Sequence, residues 1–396
     1  MRAARRAAVP PFEVMSILDR VAQLRAAGRD VISLCAGEPD GGAPSDVAER
    51  AVALHQANDL GYTSALGPRP LREEIAGHYR RWYGLDLTGD DVAITTGSSG
   101  AFVLTFLAAF DPGDRVALAS PGYPAYRNIL TALGCEVVDI PCGPEHRFQP
   151  TPDLLDEVAA RRGPLRGLVV ASPANPTGTM LTRAELASLT AWCDAHDVRL
   201  ISDEIYHGIT YPDDPEDPDA RGVSARETSR SCVVVSSFSK YWGMTGWRIG
   251  WALVPPDLRS AVDALAGNIA LCPPAPAALA ATAAFTPASY AAADARVATF
   301  ARTRTTLLDA VPGLGWGPIA PADGAFYLYA DLADTLGRHS DASSWSRALL
   351  EEAGVAVVPG IDFDPIGGGR YVRLSFAAGH DAVTEAVERI SAFHAG

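Results

Sequence analysis

Lysine is almost missing from this chain of 396 residues: of its 33 lysine and arginine side chains, only Lys240 is a lysine. On a surface, arginine replaces lysine at little cost, because either residue supplies a solvated positive charge. A guanidinium, however, cannot lose its proton near neutral pH or form an imine with an aldehyde. The single amine lies in Ser236-Ser237-Phe238-Ser239-Lys240-Tyr241-Trp242-Gly243-Met244-Thr245-Gly246-Trp247-Arg248, a Ser- and Gly-rich, tryptophan-flanked turn after an apolar run. A stray surface lysine does not suit that setting, so Lys240 is read as a Schiff-base nucleophile.

Other absences narrow the function further. No basic run is present and the net charge is -14, with a pI near 5.0, which argues against nucleic acid or an anionic membrane as partner. An anionic small ligand would need a local arginine pocket. No apolar stretch is long enough to span a bilayer, and the arginine-rich start, Met1 to Arg6, has no apolar segment of about 7 to 15 residues behind it, so no signal peptide is expected. The six cysteines, Cys35, Cys135, Cys142, Cys193, Cys232 and Cys272, contain no CxxC pair and lie mostly in or beside apolar runs. They are read as buried reduced thiols, without a metal site, in a cytoplasmic protein.

What is present is enough apolar sequence for one large core and a smaller one, at 48% hydrophobic and 20% charged residues. Strand-length apolar runs alternate with helical patterns, which predicts an α/β fold: a mainly parallel, doubly wound sheet with a smaller α+β domain. The expected strands are Asp91 to Thr95, Arg115 to Ala119, Gly167 to Ala171, Val198 to Ser202, Cys232 to Ser236 and Ile249 to Val254. Thr182-Arg183-Ala184-Glu185 reads as a capping box and Thr151-Pro152 as a helix start. The Pro/Asp-rich Tyr211 to Arg221 reads as a surface loop, and a helix is expected around Ser289 to Ala310. The large domain is placed at 45–289 and the small one at 1–44 with 290–396.

Ligands of open parallel sheets bind beyond the carboxyl ends of the strands. Here the first strand is followed by Thr96-Gly97-Ser98-Ser99-Gly100, small residues at a helix start that suit a phosphate. The second is followed by Tyr123, the third by Asn175-Pro176-Thr177-Gly178, the fourth by Asp203 and Tyr206, and the fifth by Ser237 and Lys240. An amine, a carboxylate, a phenol, an amide, a ring face and a phosphate cradle together suit a phosphorylated aromatic aldehyde.

With Gly246-Trp247-Arg248-Ile249-Gly250 and Cys35-Ala36-Gly37-Glu38-Pro39-Asp40 added, the ordered set resembles the fold type I pyridoxal-phosphate enzymes, and within them the class I and II aminotransferases, closest to the bacterial aspartate-aminotransferase-like branch. The resemblance implies pyridoxal 5'-phosphate as cofactor, with Lys240 as its Schiff-base amine and later as the base at the substrate Cα. It implies Asp203 against the pyridine nitrogen, Asn175 and Tyr206 on the phenolic oxygen, and Tyr123 stacked on the ring. Gly97, Ser98, Ser99, Ser237 and Arg248 would hold the phosphate, with Tyr62 reaching the phosphate of a neighbouring subunit in a homodimer. Arg373 would clamp the substrate α-carboxylate, with Gly37 lending its backbone. Glu204 and His207 are read as packing or surface residues.

The implied activity moves an amino group between an L-amino acid and a 2-oxo acid. A β-eliminating carbon-sulfur lyase or a cyclase shares the same residues, and a non-catalytic pyridoxal-phosphate regulator is a third reading, disfavoured by the short region before Gly37. Val9-Pro10-Pro11-Phe12 and Gly324-Ala325-Phe326-Tyr327 are expected to line the side-chain pocket and lean towards hydrophobic or aromatic donors. A dicarboxylate donor would need a second cation, for which Arg69 and Arg127 are the available residues.

Overall fold

A computed structural model describes residues 2–35, 37–58 and 60–395. After a two-residue strand, β1 (Ile32–Ser33), seven strands join one sheet: β2 (Val92–Thr95), β3 (Arg115–Ser120), β4 (Glu136–Pro141), β5 (Gly167–Ala171), β6 (Arg199–Asp203), β7 (Val233–Ser237) and β8 (Gly250–Leu253). Their order is β2-β8-β7-β6-β5-β3-β4. The five strands from β4 to β7 in that order pair in parallel, while β8 runs antiparallel between β7 and β2. Helices cover both faces, so β2 and β7 are buried along their whole length, and each begins as an apolar run.

The six expected strands are all present, with no end shifted by more than one residue. The seventh, β4, was not expected. It occupies the sheet edge, and its sequence Glu-Val-Val-Asp-Ile-Pro mixes polar and apolar positions because part of the strand meets solvent. Thr182 caps its helix as the spacing predicts: its side chain accepts from the Glu185 amide at 3.3 Å, and the Glu185 carboxylate accepts from the Thr182 amide at 2.7 Å. Thr151 likewise accepts from the Leu154 amide, ahead of Pro152. The helix expected around Ser289 to Ala310 spans Pro287–Leu314.

A second sheet is antiparallel and three-stranded, with β9 (Tyr327–Asp331), β11 (Val358–Pro359) and β12 (Tyr371–Ser375) in the order β11-β12-β9. Between β9 and β11, β10 (Val355–Ala356) pairs in parallel with β1. That pairing, continued by the Ser375 amide donating to the Leu34 carbonyl, fastens the N-terminal segment beside β12. Helix α1 (Glu13–Ala26) precedes β1, and its N-terminal amide at Glu13 donates to the Asp362 carboxylate. Among the described residues no helix is long and apolar enough to cross a membrane, and the cysteines are free, five of them buried and Cys272 partly so.

This topology gathers the site for a geometric reason. Parallel strands present all their carboxyl ends at one edge, where β3 delivers Ser120, β6 delivers Asp203 and β7 delivers Ser237. Because β8 is antiparallel, its beginning, just after Arg248, falls at that same edge.

Candidate active site

A cleft of about 320 Å³ opens at this edge, with β12 and α1 forming its far wall. Lys240 leaves the turn after β7 and its Nζ donates to the Gly37 carbonyl at 2.5 Å. Burial pushes its pKa down to about 8, and the nearby cations Arg373 and Arg248 push the same way against Glu38 and Asp203. About a tenth of this amine is therefore unprotonated at pH 7, far more than of an ordinary lysine, as a nucleophile or base requires.

Asp203, the last residue of β6, is 5% exposed. One carboxylate oxygen accepts from the Tyr126 hydroxyl and the other from the Ile205 amide at 3.1 Å. Burial raises its pKa to about 6, while those two donors and Lys240 hold it down, so it stays charged at neutral pH. Tyr206 is buried, and its hydroxyl lies 2.8 Å from that of Tyr327. Tyr123 also lines the cleft, with Phe12 stacked on its ring at 6.1 Å.

Arg373 is built in from β12. Its guanidinium donates to Asn175 Oδ1 at 2.9 Å and to the Cys35 carbonyl at 2.8 Å, and lies between the Tyr327 and Phe363 rings at 4.5 and 4.8 Å. Its Nε is buried and has no partner among the described residues. A fixed, desolvated cation with an unused N–H in a cleft suits a carboxylate ligand.

The opposite end suits a phosphate. Helix α4 (Gly97–Ala109; α2 and α3 are Ser45–Ala57 and Arg69–Tyr83) begins with Ser98 and Ser99 in the cleft wall, under the positive end of its dipole. Gly97 has φ +67°, and a Cβ there would lie 2.4 Å from Arg248 Nη2. A Cβ on Gly250 would lie 2.9 Å from the Ser98 amide nitrogen. The two glycines thus let an arginine and a helix N-terminus approach one anion.

Most expected site residues meet in this cleft, but three sequence readings change. Ser237 does not line it; its hydroxyl donates to the Ile249 carbonyl at 3.1 Å and contacts Ser239 Oγ at 2.7 Å, and Ser239 is the serine in the wall. The side-chain wall is not built from the 9–12 segment: Val14 and Leu18 of α1 line the cleft, whereas Pro10 and Pro11 border a neighbouring hollow. Of 324–327 only Tyr327 faces the cleft. Neither candidate second cation reaches it, since Arg69 pairs with Glu73 and Asp90 and Arg127 with Asp139. Tyr62 is 86% exposed and lies outside the cleft of its own chain. Sequence reasoning missed Tyr126, Ser239, Val14 and Leu18, and it placed Tyr327 in the pocket lining without its contact to Tyr206. Only Ser239 carried a local signal, its place one residue before the lysine.

Residues 29–390 match the family model described as aminotransferase class I and II. The chain is 53% identical over 392 residues to a valine–pyruvate aminotransferase of Mycobacterium tuberculosis, covering 99% of this chain and 98% of that protein. It is 34% identical to an aspartate aminotransferase of Geobacillus stearothermophilus, with 99% of both chains covered. Among solved structures, an aminotransferase from Mycobacterium tuberculosis superposes with TM-score 0.95 at 52% identity, covering 99% of both chains.

Proposed function

Because the chain belongs to the class I and II aminotransferases and moves an amino group between an amino acid and a 2-oxo acid, we propose that it holds pyridoxal 5'-phosphate in this cleft and prefers donors with neutral, apolar side chains. The residues fit the group. Gly97 and Gly250 clear a cradle that a Cβ would fill, and the donor set runs from a cation and helix amides at one end to a carboxylate at the other. When bound, the cofactor supplies an aldehyde that condenses with amines and a ring that accepts the electron pair left at Cα.

The chain's own residues do the rest. Lys240, with a pKa near 8, is the amine that holds the cofactor and the base that removes and returns the Cα proton. Asp203 would supply the negative charge that stabilises a protonated ring nitrogen. Tyr206 and Asn175 would hold the phenolic oxygen, and Ser98, Ser99, Ser239 and Arg248 would hold the phosphate. Tyr62 is assigned to the phosphate of a second copy, which makes the working unit a homodimer with shared sites. Arg373, beside the Gly37 backbone, receives the substrate α-carboxylate. The division into 45–289 for the cofactor and 1–44 with 290–396 for the α-carboxylate and side chain belongs to the same proposal, as does a cytoplasmic setting for the free thiols.

The observation that carries the substrate reading is the side-chain wall: Val14 and Leu18 face the cleft, and both arginines that could have answered a second carboxylate are paired elsewhere. An unpaired carboxylate buried against them would be penalised. The relative named for valine and pyruvate points the same way. The test is kcat/KM for valine, leucine, phenylalanine, alanine and aspartate, with pyruvate and 2-oxoglutarate as acceptors and ammonia release followed in parallel. Valine or leucine should exceed aspartate by at least about 10-fold. Aspartate as the best donor would overturn the substrate reading, and ammonia release without amino transfer would install the lyase.

A further inference from the structure

Tyr327 touches both functional ends of the cleft. It opens β9, is 1% exposed, and places its hydroxyl 2.8 Å from the Tyr206 hydroxyl while its ring lies under the Arg373 guanidinium at 4.5 Å. Its hydroxyl also occupies the space where residue 37 would carry a side chain, since a Cβ on Gly37 would come within 2.8 Å of it. Burial without a partner would cost a phenol dearly, and Tyr206 is the group within reach.

We propose that Tyr327 is a positioning residue that acts through its two neighbours: its O–H donates to the Tyr206 oxygen, and its ring face holds Arg373 in place for a carboxylate. With the Tyr206 oxygen already occupied as acceptor, the Tyr206 proton is left to point into the cleft. Hydrogen bonds in series strengthen one another, so Tyr206 becomes the better donor to an oxygen there. The cation over the ring face makes the Tyr327 O–H more acidic and hence a stronger donor in turn. Arg373 gains a flat support that fixes the guanidinium plane without taking up its N–H groups. Asp203, Tyr123 and Lys240, whose Nζ lies 6.0 Å from the Tyr206 ring centre, are the other titratable groups around the pair.

This inference rests on the cofactor and carboxylate assignments above, and binding measurements separate the two. Cofactor-free protein is titrated with pyridoxal 5'-phosphate for wild type, Tyr327→Phe, Tyr206→Phe and the double variant. Loss of one hydrogen bond in series should raise the dissociation constant about 2- to 10-fold in Tyr327→Phe. In the Tyr206→Phe background the same change should have no further effect, because its route is gone. Tyr327→Leu, which also removes the ring face, should in addition weaken binding of 3-methylbutanoate, a carboxylate without an amine, by about 3-fold or more, whereas Tyr327→Phe leaves it unchanged. Thermal unfolding of the cofactor-free variants checks that each is folded. Equal effects of Tyr327→Phe in both backgrounds, or no effect in either, would overturn the relay, and identical 3-methylbutanoate affinity in Tyr327→Phe and Tyr327→Leu would overturn the support of Arg373. Failure of the wild type to take up the cofactor would instead refute the cofactor assignment, and the inference with it.

Discussion

Replacing Lys240 by arginine keeps a positive charge in the cleft and removes the only side-chain primary amine, so turnover should vanish while phosphate contacts retain some cofactor affinity. Near-normal turnover in Lys240→Arg would sink the catalytic assignment. Asp203→Asn should lower kcat by about three orders of magnitude or more, since a neutral amide cannot stabilise a protonated ring nitrogen. Arg373→Ala should lower kcat/KM about 30-fold or more for every donor, because one partner of a charge-assisted pair is removed. Steady-state kinetics on purified variants decide both. These residues were legible in the sequence because each is a rare chemical type in a distinctive local string. Tyr126 was not, and Tyr327 was legible only as pocket lining, because an ordinary aromatic in an apolar run gives no sign that its hydroxyl will meet a carboxylate 77 residues away or a phenol 121 residues away.

At the scale of single elements, α1 brings Val14 and Leu18 to the cleft, so Leu18→Arg should supply the missing second cation and raise the aspartate-to-valine ratio of kcat/KM by at least about 10-fold. Arg69→Ala should leave that ratio within about 2-fold, its partners being surface carboxylates. The turn after β6 carries a second consequence. Glu204 and His207 are 1% and 6% exposed and 3.7 Å apart, with no hydrogen-bond partner for Glu204 Oε2 or His207 Nε2 among the described residues and His207 Nδ1 against the Tyr83 hydroxyl. Of the two roles the sequence left open, packing or surface, they take the first, in the interior. Burial raises Glu204 to about 8 and lowers His207 to about 3. The folded state therefore keeps the Glu204 proton that the unfolded chain loses above its ordinary value of 4.5, so stability should fall as pH rises from there to about 8. Conversely, the unfolded chain gains a His207 proton below 6.5 that the folded state refuses, so stability should also fall from there down to about 3. Thermal midpoints of the cofactor-free protein against pH should show both slopes, and Glu204→Gln should flatten the alkaline one. An unchanged alkaline slope in that variant would assign it to other groups.

For the whole molecule, the role proposed for Tyr62, which is 86% exposed and outside the cleft of its own chain, predicts exchange between two copies. Mixing inactive Tyr62→Ala with inactive Lys240→Ala protein should restore part of the activity through hybrid dimers that hold one intact site, while a fully active monomer by sedimentation would exclude sharing. The sequence by itself determined the α/β class, the six strands buried on both faces, the helix caps and the phosphate, amine and carboxylate motifs, because burial periodicity, capping and reactive side chains are written within a few neighbouring residues. Tertiary structure alone decided which serine faces the cleft, where β4 closes the sheet edge, that α1 supplies the apolar wall, and that Tyr327 joins Tyr206 to Arg373. Each of these depends on strand pairings and packing between segments far apart in the chain, and no local pattern encodes such a meeting.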